Sequence, residues 1–245
     1  AYEIPKRDWS SDVCSSDLEP RRRDRDPAVS ARLSPLDERH RALGARMVPF
    51  GGWDMPLQYT GVLEEHRACR DDAVVFDVSH LGTLACTGPE AFSRLQWLLT
   101  NDLGRIGPGR AQYTHLLDPD DAHVVDDIIV WWLETDQFLV MPNASNTDGI
   151  LAAFATGPEG PAPALDVTSE RAVLAVQGPR ARERVATVSE AAARVPRFEV
   201  ARIGELVVAG TGYTGEDGIE IHVPRDGAAD LWEQLLGAGL TPAGL

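Results

Sequence analysis

The chain is short of cysteine: Cys14, Cys69 and Cys86 lie far apart in 245 residues. That usage suits neither a disulfide framework nor a paired-thiolate metal site. It points to a reducing, cytoplasmic setting. The six histidines, His40, His66, His80, His115, His123 and His222, are scattered, so no metal site is expected. No apolar run approaches the ~18 residues of a membrane span, and the N-terminus has no apolar signal-peptide core. Positive charge is outnumbered, with 23 Lys and Arg against 38 Asp and Glu and a formal net charge of −15. That sign disfavours a general binder of nucleic acid or anionic membrane. Hydrophobic residues make up 43%, ordinary for a protein with a buried core. At about 150 residues per domain, the length allows one large or two ordinary domains.

Residues 1–30 look foreign to the rest. Arg7 to Leu18 resembles the translation of a sequencing-library adapter, and the Arg21-Arg22-Arg23 run is interleaved with Asp24 and Asp26. This stretch is expected to be a solvated, disordered tail outside the folded region 31–245. Ser34-Pro35 opens a helix predicted to run to Leu43, with Gly44 as its stop. Phe50 to Tyr59 is rich in glycine and aromatics without a period, which predicts a structured loop. Helices are expected at 61–70, 90–99, 147–154, 180–188 and 228–236, and strands at 74–78, 84–87, 111–117, 138–141, 173–177, 205–209 and 219–223. A strand, Gly-Pro and helix unit occurs twice, at Gly88-Pro89 and Gly178-Pro179. The pair suggests an internal duplication of βαβ-like halves. Asn143 to Thr147 reads as a run of helix caps. Residues 156–165, rich in proline and glycine, read as a linker. The chain is expected to break off after 241–245 without a closing element, leaving Leu231, Leu235 and Leu236 partly uncovered.

Two acidic positions carry the chemistry. Val124-Val125-Asp126-Asp127-Ile128-Ile129-Val130 is a strand-forming run with two carboxylates at its centre. Alternation puts Asp126 with Val124, Ile128 and Val130, and Asp127 with Val125, Ile129 and Trp131. Either way one acid faces apolar neighbours, where an unpaired carboxylate is costly and so has a partner or a task. The alternative is a hairpin end, with the strand beginning only at Ile128. Glu220 alternates with Ile219 and Ile221 after the turn Thr211 to Gly218, which lacks a phosphate-loop lysine. With Tyr213 in that turn, a carboxylate to accept two parallel N–H bonds and a ring to stack suit a flat heterocycle such as a pterin. The alternative is an edge strand with Glu220 and His222 in water.

Seven motifs in order then resemble the aminomethyltransferase (T-protein) family of the glycine cleavage system. They are Phe50 to Tyr59, Phe76 to His80, Leu99 to Asp102, Val124 to Asp127, Asn143 to Asn146, Gln177 to Pro179 and Thr211 to Gly218. The resemblance implies an α+β fold of two interleaved α/β subdomains with mainly antiparallel sheets. The subdomain break is expected near 84–86, and a C-terminal barrel domain is absent. It implies transfer of a lipoyl-bound aminomethyl group to tetrahydrofolate, giving methylene-tetrahydrofolate and ammonia, with lipoylated H-protein as partner. Asp127 matches the key acid, Asp126 a structural one, and Glu220 the residue that grips the pterin. Tyr113, Asn143 and Tyr213 match residues lining the folate site. Leu81 and Trp131 stand at lining positions where the family often has Met and Tyr. A related tetrahydrofolate-dependent demethylase and a folate-binding protein without transferase activity are the alternatives.

Overall fold

A computed structural model describes residues 31–156 and 164–245. The expectations for residues 1–30, and for most of the 156–165 linker, lie outside the described residues. Two mainly antiparallel sheets pack face to face, and each carries helices on its outer side. The six-stranded sheet has the order Val200–Ile203, Leu206–Ala209, Gly218–Pro224, Arg171–Gln177, Val74–Asp77, Thr241–Ala243. The five-stranded sheet has the order Arg110–Leu117, Val124–Glu134, Gln137–Met141, Leu84–Thr87, Ala164–Asp166. Every strand of the second sheet thus lies in sequence between two neighbouring strands of the first, Val74–Asp77 and Arg171–Gln177. The subdomains are interleaved.

Burial follows strand alternation. In Val124–Glu134, Ile128, Val130 and Trp132 join Leu95, Ile150 and Phe154 of the helices Ala91–Leu98 and Thr147–Phe154. Trp131, on the opposite face, joins Leu139, Met141, Val200, Val207 and Ala209 between the two sheets. The outer face of the six-stranded sheet buries Leu174, Val176, Ile219 and Ile221 against Val185, Trp232 and Leu235 of its own helices. Each such side chain taken from water contributes about 1.5–3 kcal/mol.

The two Gly-Pro units share a topology. Each central strand leads through a helix to a three-stranded antiparallel meander that returns to that strand's flank, and then to a second helix. The duplication is therefore visible: the first helix of each unit joins strands that run antiparallel, whereas the second joins strands that run parallel, with one strand between them in the first unit, a split βαβ, and two in the other. Phe50 to Tyr59 is not a loop. Arg46–Phe50 and Trp53–Gln58 form a hairpin, and its two-residue turn, Gly51-Gly52, has φ of 54° and 86°. Two positive φ values in a two-residue turn match the twist of the flanking strands. A Cβ on Gly51 would stand 2.7 Å from the Cβ of Ala144, so the turn also lies tight against the Asn143 to Asn146 segment. The chain's last stretch is a strand, Thr241–Ala243, pairing in parallel with Val74–Asp77. Leu231 and Leu235 are buried and Leu236 packs on the same cluster, so the last helix is covered, contrary to expectation.

Candidate active site between the sheets

The 11-residue strand Val124–Glu134 includes both acids, which removes the hairpin-end reading. Asp126 turns toward the helical side and is only 3% exposed. It accepts hydrogen bonds from the Asn143 backbone N–H at 3.0 Å, from Asn143 Nδ2 at 2.7 Å and from Asn146 Nδ2 at 2.9 Å. Neither Asn caps the following helix with its side chain; both serve the carboxylate. Three donors offset the desolvation of a buried charge. Asp126 is thus buried and fully engaged by the segment that follows the strand.

Asp127 points the other way and is exposed. It accepts from the Tyr113 hydroxyl at 2.6 Å and from Asn143 Nδ2 at 3.0 Å. The bond to Asp127, chiefly, pushes the Tyr113 phenol up to about 12, so it stays a donor at neutral pH. Asn143 touches both acids and fixes their relative position. Asp127 and Asn143 line a cavity of about 580 Å³ with Phe50, Gly51, His80, Val124 and Val125. Tyr113 lines a second cavity of about 380 Å³ with Ile129, Thr211, Gly212 and the glycine-rich turn.

Glu220 stands on the inner face of the six-stranded sheet, 7% exposed. Its cross-strand neighbours are Ala175 and Ala209, and Phe76 lies beyond Ala175 in the same row. Two alanines leave room above the carboxylate that larger side chains would fill. The Thr211 hydroxyl donates to Glu220 Oε2 at 2.5 Å; among the described residues Oε1 accepts nothing. Burial pushes the Glu220 carboxyl up, and the Thr211 bond opposes the shift. The edge-strand alternative is thereby excluded, since Gly218–Pro224 is paired on both sides and His222 is fully buried.

The turn preceding Glu220 is tied down by Gln177. Its Oε1 accepts from the Thr214 hydroxyl at 2.9 Å and its Nε2 donates to the Thr211 carbonyl at 3.3 Å. A Cβ at position 212 would meet the Gln177 amide at 2.1 Å, so a larger residue there would displace Gln177 from its bonds to the turn. Tyr213 projects from this turn, 53% exposed, its ring edge-to-face with Phe76 at 5.1 Å. Leu81 packs on the cluster that contains Phe76 and Ala175.

The predicted residues therefore fall into two groups. Asp127, Tyr113 and Asn143 form one; Glu220, Tyr213 and Leu81 form the other. They meet through the cavity that Tyr113 shares with Thr211, the partner of Glu220. Trp131 belongs to neither. It is fully buried between the sheets with its ring 4.6 Å from that of His222, and it lines neither cavity described here. Sequence reasoning missed Thr211, Gln177, Asn146 and His80. All four stood inside quoted motifs, but the contacts of Thr211, Gln177 and Asn146 are with residues apart from them in sequence.

A family model described as the GCVT N-terminal domain matches residues 36–245. The chain belongs to the GCVT N-terminal domain family. Among its relatives are the aminomethyltransferases of Symbiobacterium thermophilum, 41% identical over 232 residues, and Paraburkholderia phymatum, 45% identical over 224 residues. The alignments cover 88% and 86% of this chain but 62% and 60% of those proteins. Among solved structures, the glycine cleavage system aminomethyltransferase T from Bartonella henselae superposes with a TM-score of 0.80 at 33% identity. That match covers 88% of this chain and 60% of the Bartonella chain. A heterotetrameric sarcosine oxidase from Corynebacterium shares the fold alone, at TM-score 0.50 and 17% identity over 84% of this chain and 94% of that one. The chain thus spans about three-fifths of the aminomethyltransferases it resembles. Among the described residues no helix is long and apolar enough to cross a membrane.

Proposed function

We propose that this GCVT-family chain is the folate-binding part of a cytoplasmic aminomethyltransferase of the glycine cleavage system. It moves the aminomethyl group carried on the lipoyl arm of H-protein to tetrahydrofolate, releasing ammonia, methylene-tetrahydrofolate and the reduced arm. The observation that carries this reading is the line of contacts from Asp127 through Tyr113 and the shared cavity to Thr211 and Glu220. It links two carboxylates of different character through the cavity that Tyr113 and Thr211 line.

The donor set suits a pterin. Glu220 offers a free Oε1 above a bed of alanines, where the N–H donors of an aminopyrimidinone edge would find acceptors. Phe76 and Tyr213 supply aromatic surface for a flat ring. Asp127, held by Tyr113 and Asn143, provides a fixed negative charge for the folate nitrogen that attacks and for the iminium charge that develops at the aminomethyl carbon. Holding two large substrates in register is the greater part of the catalysis.

Calorimetric titration of tetrahydrofolate into the chain tests the reading, together with glycine-dependent formation of methylene-tetrahydrofolate in the presence of lipoylated H-protein. Saturable binding that Glu220→Gln weakens is expected. A wild-type chain that binds no tetrahydrofolate would overturn it.

A further inference from the structure

His80 follows the strand Val74–Asp77 and is 6% exposed. Its side chain lines the same cavity as Asp127 and Asn143, and the Phe50 ring meets it edge-on at 5.2 Å. Among the described residues neither of its ring nitrogens makes a hydrogen bond, and Nδ1 is sealed from solvent without a partner. Buried polar atoms are nearly always satisfied, so an unpartnered Nδ1 is unusual; Nε2 makes no hydrogen bond either and is not sealed, so it is the nitrogen that can meet a ligand in the cavity. The three carboxylates nearest this setting have other partners. Asp126 and Asp127 are held by asparagine and tyrosine. Asp77 is taken up by His40, Ser34 and Ser79. Burial holds the His80 imidazolium below its usual pKa, against the attraction of Asp77. The ring is therefore neutral at physiological pH, with one nitrogen a donor and the other an acceptor.

The function proposed above leaves one proton without a carrier. When the folate N–H attacks the methylene carbon, the C–S bond breaks and its electron pair goes to sulfur. The nitrogen must lose a proton and the thiolate must gain one. Asp127 is placed to stabilise charge, and a carboxylate is as a class a weaker base toward an amine-like nitrogen than an imidazole.

We propose that His80 is the proton carrier of this step. Its Nε2 accepts the N–H proton as the carbon–nitrogen bond forms, and the resulting imidazolium protonates the departing thiolate from the same nitrogen. The imidazole ends as it began, and the products are the N-aminomethyl folate and the free thiol. Ring closure with loss of ammonia then uses the second folate N–H and does not require His80. This role rests on the aminomethyltransferase reading and fails separately from it.

The test compares wild type, His80→Gln and His80→Ala in single turnovers with aminomethylated H-protein from pH 4.5 to 9. Calorimetry with tetrahydrofolate is run in parallel, and 15N spectra follow the His80 ring through a tetrahydrofolate titration. Both variants are expected to lose roughly 100-fold in rate, the scale of one positioned acid–base group, with folate affinity within about twofold of wild type. The acidic limb of the wild-type rate profile should vanish, and added imidazole should restore the Ala variant in part. Variant rates within about twofold of wild type would overturn the role of His80. So would a loss of folate affinity in both variants without imidazole rescue, or a His80 resonance unmoved by saturating tetrahydrofolate. Failure of wild type to bind tetrahydrofolate counts instead against the underlying reading.

Discussion

Asp127 sits near the start of a strand in the five-stranded sheet, exposed, with a phenol and an amide as partners. Glu220 sits inside a central strand of the six-stranded sheet, 7% exposed, with one hydroxyl as partner. The two halves of the molecule share a topology but place their acids at opposite depths. Depth decides what a carboxylate can do. One at a wet rim keeps its contact with water and can respond to charge developing in front of it. One sealed among alanines is desolvated, and donors brought by a ligand can stabilise its charged form. Under the function proposed above, Glu220 holds and Asp127 works.

The largest expected effect tests the working acid. Asp127→Asn keeps the shape and removes the charge. Single-turnover transfer should fall by roughly 10²–10³-fold, the scale of losing one preorganised electrostatic group, with the circular dichroism spectrum unchanged. Rates near wild type at normal folate affinity would place the working charge elsewhere.

Next in size is the buried neighbour. Asp126→Ala strands the Asn143 and Asn146 amides, and urea denaturation should report a loss of about 2–3 kcal/mol. Its effect on transfer should be smaller than that of Asp127→Asn. The reverse ranking would exchange the roles of the two acids.

These expectations show what the sequence could and could not reveal. Val124 to Val130 was legible as a strand because β-branched residues and strict alternation leave one answer, and alternation alone separated Asp126 from Asp127. Asn143 and Asn146 stand at the N-cap positions the sequence expected, but their side chains bond Asp126 instead of the helix, because residues that cap helices are also good donors to a carboxylate and only the fold brings Asp126 within their reach. The 46–58 hairpin was hidden by Pro49 and Pro56, which break any strand pattern, although Gly51-Gly52 marked its turn. Thr241–Ala243 is three residues long and contains a proline; it becomes a strand only against Val74–Asp77, far back in the sequence. Local pattern gave the elements, whereas pairings between distant segments stayed out of reach.

The buried groups between the sheets give smaller effects that depend on pH. Burial lowers the His222 pKa to about 3. The unfolded chain therefore binds a proton that the folded one refuses, and stability should fall as pH drops from the ordinary histidine range toward 3. Glu220 has the opposite sign: its folded pKa is raised, so stability is lost as pH rises through and above the ordinary carboxylate value. Thermal melts from pH 4 to 8 should show His222→Leu flattening the acid side and Glu220→Gln flattening the rise-in-pH side. Identical pH slopes in wild type and both variants would mean that neither group is sealed as described. Smallest of all, Tyr113→Phe should slow transfer about three- to tenfold by removing one hydrogen bond of about 0.5–1.5 kcal/mol from Asp127. A null effect would show that Asn143 alone holds that carboxylate.

The division between holding and working is tested most directly by calorimetric titration of tetrahydrofolate into Glu220→Gln beside wild type and Asp127→Asn. Gln offers an NH₂ where the pterin edge presents its own donors, at a cost of about 2–3 kcal/mol. That corresponds to roughly 30- to 150-fold weaker binding. Asp127→Asn should bind within about tenfold of wild type, one exposed interaction poorer. Unchanged affinity in Glu220→Gln, or a greater loss in Asp127→Asn than in Glu220→Gln, would contradict the account.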